Sequence, residues 1–267
     1  APLSSRRVRI TVLGKSPAWQ DAGGACSGYL VEGSRGGETT RLLVDCGNGV
    51  FGKLRERVDY AAVDAVVVSH LHADHFLDLV PYAYALAYAP RRAPAPVPGR
   101  PRLLAPPGAR ETLRRVTGAW GSDDLVERAF DLCEYDPGDV LEIGTLKIRF
   151  HSVPHFVPTW AVEVRDADGG RFTYGADCRP CDELVAFARG TDLLMVEATL
   201  AHPEHAEPRG HLTPREAGEH ARRAGARRLV VTHFPDELGE RWVMEEARLG
   251  FGREHVEIAR EGATFFV

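Results

Sequence analysis

Apolar residues fall in short blocks along this chain, mostly about four to eight positions long and punctuated by glycine and proline, the rhythm of many short strands with a few helices between them. Residues 8–13 read as a strand that ends at Gly14, and 15–28 form a glycine-rich polar loop. Residues 29–32 and 41–45 pair as a hairpin around the turn-rich segment SRGGETT. The run VDAVVVS at 63–69 is too continuously apolar for a half-exposed strand and predicts a buried one. The residues after it, HLHADHF, break the pattern with polar side chains. From 76 to 89 the spacing in LDLVPYAYALAYA predicts a helix. It stops in APRRAPAPVPGRPR, because proline has no amide hydrogen to continue the ladder.

Beyond this helix the same reading predicts a short strand after Leu103, a helix over 109–116, and a strand, turn and strand over 141–153 with the turn at Gly144. Residues 160–165 and 171–174 form a hairpin around DADGG, where Asp and Gly supply positive φ. Strands at 193–196, 229–232 and 256–258 and a helix at 214–224 complete the set. No internal repeat and no linker divides the chain, so residues 1–267 are expected to form one domain. Two sheets with helices outside them, a four-layer αββα sandwich in the α/β (α+β) class, accommodates this order most economically.

Composition narrows the function. At 267 residues with 44% hydrophobic and 27% charged positions, the chain has material for a substantial core, which excludes a disulfide mini-protein and wholesale disorder. Thirty of its 33 basic residues are arginine, yet the net charge is −5, so a broad basic face gripping long nucleic acid is not expected. No run reaches the roughly 18 apolar residues of a membrane span, and the segment APLSSRRVRI has no apolar run before its first charges. Five cysteines, an odd number, do not describe a disulfide framework. These features together predict a soluble cytoplasmic protein with no membrane partner.

The chemistry concentrates in one motif. His70, His72, Asp74 and His75 spell HxHxDH directly after the buried strand. With 11 His and 17 Asp, its chance expectation in this chain is about one in a thousand. Alternate residues of an extended loop project to one side, so His70 and His72 can share one metal ion, while Asp74 and His75 at the helix start turn towards a second. A dinuclear site needs further ligands on rigid backbone, and three candidates end strands: His155, Asp177 and His233.

With these residues in order, the sequence resembles the metallo-β-lactamase fold hydrolases. It looks most like their ribonuclease Z-like branch, and within it a short-form group of metal-dependent hydrolases and cyclic-nucleotide phosphodiesterases. LLVDCGNG, VVVSHLHADH, HFVPTWAVEV, YGAD, VEATL, GHLTP and VVTHF carry the resemblance over essentially the whole chain. The resemblance implies that His70, His72 and His155 hold a first zinc ion, that Asp74, His75 and His233 hold a second, that Asp177 bridges them, and that Asp45 orients the loop. Manganese or iron also suits such a mixed His/carboxylate set. The antibiotic-cleaving members usually have Cys where Asp177 stands and lack a ligand like His75, so β-lactam hydrolysis is not expected. Glyoxalase II carries a C-terminal helical domain for which the 34 residues after His233 leave no room. Ribonuclease Z inserts a long arm for transfer RNA between the third His and the bridging Asp. Here those positions, His155 and Asp177, lie only 22 apart, so a small-molecule or short nucleotide substrate is expected. Homodimers are common among the relatives, which makes a homodimer possible by analogy alone and leaves the number of subunits open.

Two metal ions in such a site acidify a bridging water to hydroxide and polarise a phosphoryl oxygen, which predicts a phosphodiesterase. His211 in GHLTP is the candidate general acid for the leaving oxygen, a role that the matching histidine has in ribonuclease Z, and Glu197 in VEATL is its candidate partner. With Asp74 these make up the catalytic set. The same hydroxide attacks carbonyl carbon, so an ester, lactone or thioester hydrolase is the alternative, and a metal-binding scaffold without catalysis a remote one. His151 reads as structural, and His202, His205, His220 and His255 as mostly surface residues. Cys178 and Cys181 form a CxxC without the second pair of a structural zinc site, and read as buried or rim thiols. Trp160, Tyr82, Tyr84 and Tyr88 read as core. The arginine-rich stretches 91–102 and 222–228 read as solvated faces, and the loop 90–107 as a substrate-facing flap.

Overall fold

The computed structural model describes residues 8–90, 99–136, 138–205 and 208–267. Residues 91–98, part of the expected flap and most of the first arginine-rich stretch, lie outside them. The first half of the chain runs β1 (Val8–Gly14), β2 (Gly28–Arg35), β3 (Glu38–Val44), α1 (Val50–Arg55), β4 (Ala65–Val67), α2 (Ala73–Phe76), α3 (Leu79–Tyr88), β5 (Arg102–Ala105), α4 (Ala109–Gly118), α5 (Leu125–Ala129) and β6 (Asp131–Glu134). The second half runs β7 (Val140–Ile143), β8 (Leu146–Val153), β9 (Thr159–Asp166), β10 (Arg171–Tyr174), α6 (Asp182–Phe187), β11 (Leu193–Glu197), α7 (Pro214–Ala224), β12 (Arg228–Thr232), α8 (Glu240–Phe251), β13 (Val256–Ile258) and β14 (Thr264–Phe266).

The strands form two seven-stranded sheets, ordered β14-β1-β2-β3-β4-β5-β6 and β13-β12-β11-β10-β9-β8-β7. Each is antiparallel at one end and parallel at the other: β3 to β6 run parallel, as do β10 to β13. Between the sheets, Ile10, Tyr29, Val44 and Val67 face Phe150, Val162, Tyr174 and Met195 in one continuous core. On the outer face of the first sheet, Leu43, Val66 and Leu103 meet Leu54, Leu79, Tyr82 and Leu113 of the helices. On the outer face of the second, Leu194, Val196, Leu229 and Val231 meet Leu184, Ala217, Ala221, Val243 and Phe251. This is the expected αββα sandwich. It explains why the run around β4 does not alternate: Ala65 and Val67 point into the inner core and Val66 into the outer one, so both faces demand apolar side chains. Each aliphatic side chain buried there contributes about 1.5–3 kcal/mol relative to exposure.

The direction of the strands decides where chemistry can gather. Because β8 and β10 are both antiparallel to β9, the strands β8, β10, β11 and β12 end at one edge of their sheet, just as β3 and β4 end together in theirs. Every strand that precedes a candidate ligand ends there.

Several elements differ from expectation. The helix of 76–89 breaks into α2 and α3, because Pro81 fits only the first turn of a helix and a continuous helix from 76 would place it where an amide hydrogen is needed. The strand of 63–69 contracts to three residues, since Ser69 already turns towards the site. Tyr82 and Trp160 are core residues as expected, but Tyr88 is 59% exposed and Tyr84 is only partly buried, packed against the edge of the outer core. His220 is the opposite case. It is buried, because it follows Ala217 and precedes Ala221 on the face of α7 that packs on the sheet. Its Nδ1 donates to the Glu216 carbonyl at 2.7 Å and its Nε2 accepts from the Cys181 amide at 3.0 Å.

The loop carrying His211 is anchored to the start of α7. Thr213 and Glu216 form a reciprocal capping box with Pro214 at the first helical position. Arg209 joins the same corner, donating to the His211 carbonyl at 3.1 Å and pairing with Glu216. Removing the cap hydroxyl with Thr213→Ala is expected to lower stability by about 1 kcal/mol in urea unfolding, with Thr213→Ser close to wild type. Equal stability of all three proteins would show that the box contributes nothing.

Candidate metal centre

One buried carboxylate organises the first half of the site. Asp45, at the end of β3, is fully buried and accepts from the Ser69 amide at 2.7 Å, the Ser69 hydroxyl at 2.8 Å and His75 Nδ1 at 2.8 Å. It thus ties the ends of β3 and β4 to α2. The segment after it lies close against α2: a Cβ on Gly47 would stand 1.8 Å from the Asp74 carbonyl oxygen, so no other residue fits.

The hydrogen bonds around the imidazoles fix their tautomers. Since the Ser69 hydroxyl is donated to Asp45, its oxygen accepts from His70 Nδ1, 3.0 Å away. His155 Nδ1 donates to the Gly210 carbonyl at 2.8 Å. Thr199 donates to Glu197 at 2.7 Å, and its oxygen accepts from His233 Nδ1 at 2.9 Å. In His70, His75, His155 and His233, then, Nδ1 carries hydrogen and the Nε2 lone pair faces inward, the arrangement in which an oxygen partner presents imidazole to a cation.

Those lone pairs converge in two adjoining groups. In the first, His72 Nδ1 lies 3.2 Å from His70 Nε2 and 3.1 Å from His155 Nε2. In the second, Asp74 Oδ2 lies 3.2 Å from His233 Nε2 and 3.4 Å from His75 Nε2. Asp177 Oδ2 stands between them, 3.8 Å from His70, 3.9 Å from His155 and 3.4 Å from both His75 and His233. All seven residues named from the sequence are therefore together, drawn from the segments that follow β4, β8, β10 and β12 and from α2. Two atoms at the centre, His75 Nε2 and Asp177 Oδ1, are buried without a hydrogen-bond partner. Inward lone pairs and orphaned buried acceptors are what a metal ion would satisfy, so the residues fit divalent cations.

Electrostatics point the same way. Among the described residues, the ion-pair partners of Asp74 and Asp177 are imidazoles alone. Burial works to raise both carboxyls, but the surrounding histidines, His233 and His75 foremost, hold both below the ordinary carboxylate range. His75 is held well above the usual imidazole value against the cost of burial by Asp177 and Asp45, whereas burial and the neighbouring His75 push His70 well below it. Backbone strain collects here too. The three non-glycine residues of positive φ among the described residues are Asp45 (59°), Ala176 (54°) and His233 (49°), each at or beside the site. Such conformations cost about 1–2 kcal/mol apiece.

His211 stands beside the second group, its Nδ1 2.9 Å from Glu197 Oε1 and 3.9 Å from Asp177 Oδ2. Burial lowers its affinity for a proton, but Glu197 and then Asp177 outweigh burial and raise it to about 9. Glu197 is itself fully buried and accepts from the amides of Cys178 and Thr199, each at 3.1 Å. His151 lies outside the cluster and stacks on Phe187, while His202, His205 and His255 are exposed. Cys178 and Cys181 are buried free thiols. Ser69, Thr199 and Gly210, which orient three of the histidines, were not singled out from the sequence. Their signal was faint: a hydroxyl residue or a glycine within one or two positions of the candidates His70, Glu197 and His211.

Asp45→Ala leaves the Ser69 amide and His75 Nδ1 without their acceptor. The variant is expected to bind divalent metal about 10- to 100-fold more weakly, read as metal content against graded chelator. Unchanged metal retention would contradict the organising role of Asp45.

A family model described as the beta-lactamase superfamily domain matches residues 40–234. An uncharacterised protein of Mycobacterium leprae is 34% identical over 260 residues, covering 97% of this chain and 88% of the relative. YhfI of Bacillus subtilis, described as a probable metallo-hydrolase, is 30% identical over 259 residues, covering 96% and 98%. The crystal structure of YhfI, a metallo-beta-lactamase fold protein, superposes with a TM-score of 0.82 at 27% identity over 98% of this chain and 99% of that one. Ribonuclease Z of Ignicoccus hospitalis is 28% identical over 310 residues, covering 94% and 96%. None of the described helices is long and apolar enough to cross a membrane. Sequence, sandwich and imidazole-lined centre agree, and this chain belongs to the beta-lactamase superfamily as a metallo-hydrolase of that fold.

Proposed function

We propose that the protein is a phosphodiesterase that cleaves a small or short nucleotide phosphodiester with two divalent metal ions, zinc first among them. His70, His72 and His155 would hold one ion and Asp74, His75 and His233 the other, with Asp177 between. Bound there, the metals would supply Lewis-acid stabilisation of charge on the phosphoryl group and make water acidic enough to attack near neutral pH.

The observation that carries the reading is the His211–Glu197 pair. When water attacks a phosphodiester, the bond from phosphorus to the leaving oxygen breaks and that oxygen departs as an alkoxide, which needs a proton from a donor beside the phosphoryl group. Glu197 takes the Nδ1 hydrogen of His211, so Nε2 is the atom left to face substrate and to donate. The carboxylate favours the imidazolium that donation requires, and nearby dications would bring its proton affinity from about 9 back towards neutrality, where a general acid works best. With its oxygens held by the Cys178 and Thr199 amides, Glu197 fixes the ring instead of following it.

The connection between His155 and Asp177 supports a small substrate. It consists of a short loop, β9, a tight turn and β10, with nothing inserted that could hold a folded RNA at a distance. The similarity to a ribonuclease Z supports phosphodiester chemistry. The net charge of −5 favours a short ligand over a polymer.

The test is turnover of metal-quantified protein on bis(p-nitrophenyl) phosphate and on 2′,3′- and 3′,5′-cyclic nucleotides, beside lactones and S-lactoylglutathione. Cleavage of the phosphodiesters is expected. On the cyclic nucleotides, which expel an alkoxide, His211→Ala should keep its metal and lose about 10²–10⁴-fold in kcat, with a much smaller loss on bis(p-nitrophenyl) phosphate, whose p-nitrophenolate leaves without a proton, whereas Asp177→Ala should lose metal and activity together. Metal-replete protein that cuts carbonyl esters and no phosphodiester would overturn the reading.

A further inference from the structure

Phe156 has no part in the chemistry described so far. It follows His155 on the loop between β8 and β9, and 48% of it is exposed. A lone exposed phenylalanine is ordinarily unremarkable. This one is held on several sides. Its ring centre lies 5.0 Å from that of His155 and 5.7 Å from that of His211, the first tilted and the second edge-on. Beneath it is Gly210, where an added Cβ would stand 2.3 Å from Phe156 Cε2 and 2.6 Å from Cδ2 and Cζ.

Gly210 does not have the positive φ that usually calls for glycine. What requires glycine at 210 is the Phe156 ring, which fills the space a side chain would occupy. The same residue's carbonyl holds His155 Nδ1. The segment before α7 therefore does two things at once: it orients an imidazole of the centre and seats an aromatic ring beside it. Nearly half of the residue is left to solvent, next to the histidine placed to protonate the leaving group. A fold that buries Tyr29, Tyr82, Tyr135 and Phe234 completely has the means to bury this ring and does not.

We propose that Phe156 is the stacking platform for the nucleobase of the substrate, which makes it the residue that selects nucleoside esters over other phosphodiesters. The inference rests on the phosphodiesterase reading and adds to it the residue that recognises the nucleoside. Stacking uses the face that every base has, so the platform accepts all bases and favours purines, whose larger rings overlap more. His155 and His211 stay where they are when the base binds. Phe156 thus acts on binding and leaves the proton transfer alone.

Two esters with the same scissile bond and leaving group separate this from a structural role: thymidine 5′-(p-nitrophenyl phosphate) and methyl p-nitrophenyl phosphate. With metal-loaded full-length chain, Phe156→Ala is expected to lose about 10- to 100-fold in kcat/KM on the thymidine ester, mostly through KM. On the methyl ester it should change less than about 3-fold, and Phe156→Tyr should retain the wild-type preference. Equal loss on both esters would show that the ring merely props His155 and His211, and no loss on either would show that it does nothing; both overturn the proposal. Affinity for adenosine monophosphate against inorganic phosphate is measured alongside. If wild type cuts neither ester but binds the nucleotide more tightly than phosphate, and Phe156→Ala abolishes the difference, the platform stands and the phosphodiesterase reading falls. If the difference persists in Phe156→Ala, the platform falls.

Discussion

Two carboxylates buried among imidazoles set the terms for everything around them. Taking Asp74 and Asp177 out of water is expensive unless positive charge is supplied at the same place, and in this fold the imidazoles are the residues that pair with them. Where no cation is bound, a proton on His75, favoured by Asp177 and Asp45, would meet part of the need. Cations meet more of it, because four Nδ1 atoms are already committed to oxygens and four Nε2 lone pairs point inward. The apparatus outside the ligands, Asp45 with Ser69, Thr199 with Glu197 and the Gly210 carbonyl, serves that orientation. Metal binding and folding are coupled in such a site, since whatever binds the folded chain alone adds to its stability.

The architecture brings these groups together by strand direction. Mixed sheets with parallel halves end β3 and β4 on one side and β8, β10, β11 and β12 on the other, and the sandwich closes with those ends adjacent. Side chains at strand ends inherit the stiffness of the sheet, which holds ligands within the small tolerances that metal chemistry demands. The cost shows in the backbone: Asp45, Ala176 and His233 are held in left-handed conformations that such residues avoid, and two fully packed sheets hold them there. Function is placed where the fold is strained and paired where it would otherwise be unstable.

Most of this was legible in the chain, and the exceptions have physical reasons. HLHADH after an apolar run announced both the buried strand and the ligand loop, because few constraints other than a metal ask for that spacing. The strand-end positions of His155, Asp177 and His233 followed from the same logic. Residues whose role depends on partners far away in sequence were harder to read. His220 looks like any polar helix residue until the Cys181 amide arrives 39 positions earlier to meet it. Tyr88 carries the composition of a core residue and lies largely exposed at the end of α3, with Arg128 over its ring. Strand β6 has one partly buried leucine among exposed neighbours and gives no periodic signal, while α8 carries an apolar spacing at Val243, Ala247 and Phe251 that sequence reasoning passed over. Phe156 shows the same limit from the functional side: only its contact with Gly210, 54 positions on, distinguishes it from an ordinary exposed ring.

The claim at the centre of this account is that two cations occupy the space the imidazoles enclose. Anomalous diffraction from metal-soaked crystals, collected on both sides of the zinc absorption edge, tests it most directly. Two peaks are predicted, one bounded by His70, His72 and His155 and one by Asp74, His75 and His233, with the Asp177 carboxylate between them. A single peak elsewhere, for instance at Cys178 and Cys181, or none at saturating metal, would contradict it.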